Sequence, residues 1–208
     1  MKRWNDKPYH SLDYMLRERY GEKVYKLPVA LPLTCPNRDG SAGVGGCVFC
    51  GEIGAGYENL PASMTVQEQL RKNIEHIAPK YKAYKYIPYY QNFSNTYLEP
   101  DRFREYMEAG CIDTTVGLAI ATRPDCLPPE VLSLLARLRA RKPVWVELGL
   151  QTVHEDTALL IRRGYPLSCF SEAWSSLHAL RIPVIAHVIL GLPGEGPQEI
   201  YETIRYLS

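Results

Sequence analysis

Three thiols in this chain are spaced to hold an inorganic group. Cys35, Cys47 and Cys50 form a C-x11-C-x2-C pattern inside the stretch CPNRDGSAGVGGCVFC. Three thiolates do not close a structural zinc site, which takes four protein ligands. They can hold three irons of a four-iron cluster and leave the fourth open to another ligand. The glycines from Gly40 to Gly46 let the connecting backbone approach such a core closely. A zinc loop or a redox-active Cys47–Cys50 pair is the competing reading, and CxxC alone does not separate them. Cys35 and the glycine-rich spacer favour iron–sulfur.

Other residues invite chemistry less sharply. Asp125 and Glu147 fall at or near strand ends, as ligand contacts or as partners of Arg123. Cys126 follows Thr122-Arg123-Pro124-Asp125, whereas Cys111 and Cys169 read as inert thiols. Lys80, Lys82 and Lys85 interleave with Tyr81, Tyr84 and Tyr86, a pattern that suits nucleic acid. The same pattern suits a tyrosine-rich strand with a solvated start. The basic residues Lys2, Arg3, Lys7, Arg17 and Arg19 suit a polyanion or a plain helix surface.

The elements that must position these residues alternate between strand and helix. Ser11 caps a short amphipathic helix that Gly21 ends. The run from Val24 to Leu33 is apolar and β-branched, a strand that delivers the cysteine loop at its C-terminal end. Thr65 to Ala78 reads as a helix with Val66, Leu70, Ile74 and Ile77 on one face, stopped by Pro79. A second strand runs into Gln91–Thr96, followed by a helix from Pro100 to Ala109 and a strand from Thr115 to Ala121. Then come a helix from Pro128 to Arg141, a strand from Val144 to Leu150 and a helix from Glu155 to Arg163 capped by Gly164. A helix from Ser171 to Leu180, a fifth strand from Pro183 to Leu190 and a helix opening at Gly196-Pro197 complete the series. This order predicts parallel βαβ units and an α/β fold.

Composition narrows the class. A 46% hydrophobic content in 208 residues supports one domain with a core and argues against disorder. A net charge of +1 selects no partner by itself. No apolar run reaches the roughly 18–20 residues that span a bilayer, so no membrane partner is expected. The N-terminus carries no apolar signal segment. Six cysteines in this length do not make a disulfide scaffold, so a reducing, cytoplasmic setting is expected.

The motif CPNRDG…GGCxFC, with Phe49 just before the last cysteine, resembles the radical S-adenosylmethionine (SAM) superfamily. The wide first spacing resembles its YhcC/YtqA branch, related to the radical SAM domain of the Elongator catalytic subunit. The resemblance runs from about Tyr9 to the C-terminus. It implies a partial (βα) barrel of radical SAM type. Residues 1–22 would be a pre-barrel helix and 23–208 the core, with five βα units visible and a sixth missing by truncation.

The implied cofactors are a [4Fe–4S] cluster on Cys35, Cys47 and Cys50, and SAM. Phe49 would lie near the adenine, and Asn92, Ser94 and Asn95 near the SAM amino group. Gln151 would contact the ribose and Arg163 the SAM carboxylate. In His187-Val188-Ile189-Leu190-Gly191, His187 would reach the ribose and Ile189 would abut the adenine. Without the resemblance, Gln151 and Arg163 read as a polar strand end and a helix-terminal cation, and His187 as a core histidine. Ala121 stands where some relatives place an acid. The branch implies reductive cleavage of SAM and action on tRNA, at the C5 side chain of the wobble uridine. It also implies a reductant such as flavodoxin or ferredoxin, and a downstream methyltransferase as a further partner. The alternatives are radical chemistry on a small metabolite or peptide, and a non-catalytic iron–sulfur sensing module. Phe49, Gln151 and Arg163 argue against the last.

Overall fold

Five short runs rich in valine, isoleucine, leucine and tyrosine become parallel strands. They are β1 (Val24–Val29), β2 (Lys85–Tyr90), β3 (Leu118–Thr122), β4 (Val144–Gln151) and β5 (Val184–Val188). They lie in the order β1-β2-β3-β4-β5, every pair parallel, in a computed structural model that describes Trp4, residues 7–54, Gly56 and residues 58–208. Of the N-terminal basic residues, Lys2 and Arg3 lie outside the described residues. The helices are α1 (Leu12–Tyr20), α2 (Pro36–Asp39), α3 (Val66–Tyr81), α4 (Pro100–Ala109), α5 (Pro129–Arg141), α6 (Glu155–Leu160), α7 (Leu167–Ala179) and α8 (Pro197–Tyr206). Sequential parallel strands with helical crossovers give the α/β, partial-barrel architecture expected from the sequence.

Alternation along each strand divides two faces. One face, with Leu27, Tyr90, Ile120, Val146 and Leu148, packs on Leu70 of α3, Phe103 and Met107 of α4, Leu135 of α5 and Phe170 of α7. The alternate positions belong to the inner face. At its lower end Leu16 of α1 packs with Val24, Ile87 and Ala119, and closes the N-terminal ends of the strands. Ser11 Oγ accepts the Tyr14 N–H at 3.2 Å, and Gly21, at φ 75°, donates to the Arg17 carbonyl. Higher on the same face stand Lys26, Tyr89, Ala121, Glu147 and His187.

Several boundaries depart from the sequence expectation. Pro79 does not stop α3, which runs two residues further to Tyr81. A proline this near the C-terminus removes one helical hydrogen bond only, and Lys82, at φ 50°, supplies the cap by donating to the Ala78 carbonyl at 2.9 Å. The helix from Glu155 stops at Leu160 instead of Arg163, because Arg162 turns left-handed at φ 54°. The third strand starts at Leu118, since the Thr115 side chain is bonded to the Gly110 and Ile112 carbonyls. Helix α7 begins at Leu167, four residues earlier than expected.

The lysine–tyrosine stretch divides: Lys80, Lys82 and Tyr84 are exposed, and the rest is held by the fold. Lys85 pairs with Glu22 at 2.9 Å and donates to the Tyr20 carbonyl, Tyr86 is buried, and Tyr81 packs on Tyr25. Among the described residues no helix is long and apolar enough to cross a membrane.

Candidate active site

The cysteine loop follows β1 and folds around one side chain, Asn37. Proline at the start of α2 and Gly40 in the left-handed region (φ 96°) make a single tight turn that leaves Asn37 buried. Its Nδ2 donates to Cys47 Sγ at 3.3 Å and to the Arg162 carbonyl at 2.6 Å. A Cβ at Gly43 would overlap the Asn37 amide, and one at Gly164 would come within 2.8 Å of it. Two glycines distant in sequence thus make room for one asparagine. Arg38 binds the far end of the loop through the carbonyls of Cys50 (3.1 Å) and Gly51 (2.5 Å). Asn37 escaped the sequence reading, although a buried asparagine inside a glycine-rich motif is a usable signal.

A cavity of about 160 Å³ opens beside this loop, at the C-terminal ends of the strands. Cys35, Cys47, Cys50, Phe49, Ser94, Gln151 and His187 all line it, together with Arg123, Glu147, Tyr165 and Ala121. Seven of the expected cluster and SAM contacts therefore meet at one place. Ser94 Oγ lies 3.6 Å from Cys35 Sγ. Gln151 sits at φ 61°, a strained conformation for glutamine, beside a bulge in the β4–β5 pairing at Gly149/Gln151. Its Oε1 accepts from the Tyr165 hydroxyl at 2.9 Å.

Four expected contacts lie elsewhere. Asn92 clamps both backbone groups of Leu31, and Asn95 Nδ2 donates to the carbonyls of Tyr90, Asn92 and Ala121. Ile189 does not line the cavity; its N–H donates to the Gln151 carbonyl. Arg163 is only 1% exposed, and its guanidinium is taken by the carbonyls of Tyr165, Leu150 and Thr152 and by Glu155. The cation that the cavity presents is Arg123. Asp125 holds it in a two-point pair at 2.9 and 2.6 Å, and its Nη1 donates to the Arg163 carbonyl.

Burial penalises the Arg123 charge, but the Asp125 partner more than offsets this and keeps the guanidinium protonated. Burial pushes the Cys47 thiol up, while the Asn37 hydrogen bond and the Arg123 charge oppose it. Cys126 is pushed up to about 12, by burial and by the Asp125 charge. It is a poor thiolate at this mouth.

Glu147 anchors the inner face. It is 3% exposed, and its carboxylate receives Lys26 Nζ at 2.6 Å, Trp145 Nε1 at 3.2 Å and His187 Nε2 at 2.8 Å. A carboxylate only accepts, so His187 carries its proton on Nε2. Burial alone would raise this carboxyl; the His187 hydrogen bond, the Lys26 charge and the Tyr89 hydroxyl outweigh it and hold the group at about 2, against 4.5 for an ordinary glutamate. A depressed folded value stabilises the chain above the unfolded value, and that stability is lost as pH falls from about 4.5 toward 2. Glu147→Gln should therefore cost about 3 kcal/mol near neutrality and flatten the acid limb of a stability–pH curve measured by urea unfolding of the metal-free chain. An unchanged acid limb in the variant would remove the network from the stability account.

The three cysteines are free thiols. Among the described residues no three His, Cys, Asp or Glu side chains converge on a single metal ion. A four-iron cluster needs no such convergence, because each thiolate takes its own iron. The amide donor at Cys47, the hydroxyl at Cys35 and the nearby Arg123 suit an anionic cluster.

Comparison with known proteins agrees. The family described as "Radical SAM superfamily" matches residues 35–207. The chain is 44% identical over 206 residues to YtqA of Bacillus subtilis, covering 98% of this chain and 63% of YtqA. It is 37% identical over 192 residues to YhcC of Escherichia coli K12, covering 91% and 61%. The chain thus spans less than two thirds of the length of either relative. A shorter match, 36% over 85 residues, covers 40% of this chain and 18% of the tRNA uridine(34) acetyltransferase of Dehalococcoides mccartyi. Among solved structures, Elp3 of Methanocaldococcus infernus superposes with a TM-score of 0.59 at 17% identity, over 88% of this chain and 41% of that one. That likeness concerns the fold. With the motif, the cavity and the family match in agreement, and with YtqA and YhcC similar over most of this chain, the chain belongs to the radical SAM superfamily, whose cofactors are a [4Fe–4S] cluster and SAM.

Proposed function

We propose that this chain is an enzyme that reductively cleaves SAM and modifies the C5 side chain of the wobble uridine of tRNA. The observation that carries the first half is the meeting of three free thiols with Gln151, His187 and Arg123 around one cavity. The similarity to a protein named for its action on tRNA uridine 34 supports the second half. When bound, the cluster and SAM supply one-electron cleavage of a sulfonium and hydrogen-atom abstraction from the substrate.

The chain's own residues bind and orient. Cys35, Cys47 and Cys50 hold the cluster. Arg123, fixed by Asp125, offers the charge for the SAM carboxylate, the task expected of Arg163. Arg163 supports it from behind, through its backbone carbonyl. Gln151 has its oxygen bound by Tyr165, so its amide N–H faces the ribose. His187 keeps Nδ1 to accept from a ribose hydroxyl, because Nε2 is committed to Glu147. Phe49, 46% exposed at the rim, covers the adenine. Asn92, Asn95 and Ile189 act one layer out, by fixing the strand ends. Helix α1 closes the base of the core through Leu16. Flavodoxin or ferredoxin serves as reductant in the cytoplasm, and a methyltransferase finishes the side chain.

The test is mass spectrometry of tRNA nucleosides after anaerobic incubation with the reconstituted protein, SAM and reductant. A mass change confined to the wobble uridine is expected. Unaltered tRNA, with SAM still consumed on a peptide or metabolite extract, would move the substrate to those classes.

A further inference from the structure

A second cavity, of about 400 Å³, lies at the opposite end of the barrel from the cysteines. It is framed by Arg19 at the end of α1, by Arg139 and Arg141 at the end of α5, by Lys142, and by Arg181 in the turn before β5; Trp145 contributes an aromatic wall. These cations come from three separate parts of the chain, so the groove hides behind a net charge of only +1. Basic residues at the end of α5 alone would be explained by the helix dipole. Arg19 ends α1 and Arg181 follows the C-terminus of α7, so helix dipoles favour these cations too; what the dipoles do not explain is that three chain segments bring them to one groove.

The carboxylates do not neutralise the groove. Among the described residues the one acid paired to it is Glu108, 3.5 Å from Arg141. Lys142 is spent on the fold, donating to Ile112 and Thr115. Arg19, Arg139 and Arg181 are exposed, and among the described residues no carboxylate pairs with them. Arg181 sits at φ 55°, and its backbone carbonyl accepts from Arg139 Nε at 2.8 Å, which fixes the Arg139 guanidinium against this turn. Exposed guanidiniums gathered in one groove suit the oxygens of a polyanion, and phosphate is one of the two groups that their fork matches.

We infer that this groove binds backbone phosphates of RNA at a distance from the reacting base. The inference rests on the tRNA reading above and deepens it. Strand β4 has eight residues, so the two ends of the barrel are separated by roughly 25 Å at about 3.3 Å per residue. One RNA that reaches both must fold around the barrel. The substrate is then a folded RNA, and recognition includes a part remote from the anticodon loop.

The test is a salt titration of binding to whole tRNA and to its isolated anticodon stem-loop, by the 208-residue chain carrying its reconstituted cluster. The variant is Arg19→Gln/Arg139→Gln/Arg181→Gln, with iron content and SAM cleavage as controls for folding. For whole tRNA, affinity should fall on the order of 10- to 100-fold, and the slope of log K against log salt should drop by about 2. Stem-loop binding should stay as in the parent. Equal affinity of parent and variant for tRNA would overturn the groove while leaving the tRNA reading intact. Equal losses on both RNAs would overturn the remote placement. A parent that binds no tRNA would overturn the reading itself, and the groove assignment with it.

Discussion

Arg163→Ala should destabilise the fold by about 3–5 kcal/mol, more than any cofactor contact would register. The side chain is 1% exposed and joins three carbonyls at the end of β4 and in the loop after α6, at 2.7–3.0 Å, to the Glu155 carboxylate. Truncation removes the donor to the Thr152 and Tyr165 carbonyls, whereas Leu150 keeps the Thr152 N–H at 2.8 Å, and each donor lost is costly. It also frees the segment whose Arg163 and Gly164 carbonyls face Arg123. With a urea slope of about 2 kcal/mol per molar, the unfolding midpoint should fall by roughly 2 M. Lysine in place of Arg163 should recover only part of this, having a point charge instead of a fork. A variant that kept its midpoint and lost SAM affinity would return Arg163 to the cofactor.

The contrast between Arg163 and Arg123 shows what the sequence makes legible. The cysteine spacing, Phe49 before the last cysteine and Gln151 at a strand end are local signals, and the folded chain brings all of them to one cavity. Five strands and their order follow from alternation of apolar runs with amphipathic ones. Which arginine faces the cavity is not local. It depends on Arg162 turning left-handed, which ends α6 early and sends the next side chain inward. Nothing in Leu159-Leu160-Ile161-Arg162-Arg163 announces that turn; the signal lies in Asn37, whose amide donates to the Arg162 carbonyl from a loop distant in sequence.

Asn92 and Asn95 show the same limit. A polar strand end reads correctly as special, but only the packed structure tells a backbone clamp from a ligand contact. Lys26 drew no notice in the sequence, because a lysine inside an apolar strand has meaning only once Glu147 is opposite it. The basic groove was equally hidden, since its arginines are far apart in the chain.

The largest expected effect is all or none, and concerns the three thiols. Anaerobically reconstituted protein, given SAM and a strong one-electron reductant, should release 5′-deoxyadenosine and methionine. The Cys35→Ala/Cys47→Ala/Cys50→Ala variant should hold no cluster iron and release neither. The loss is complete because three thiolates leave no redundant ligand, and because Cys126, pushed up to about 12, is a poor substitute. The Asn37 amide and Arg123 remain in the variant, so its fold control is the urea midpoint. The deciding measurement is 5′-deoxyadenosine formed per chain, by liquid chromatography, with iron counted on the same sample. The cavity assignment predicts product from the parent in proportion to its cluster content. A parent with a full cluster and no 5′-deoxyadenosine, or a triple variant that still produced it, would contradict that assignment.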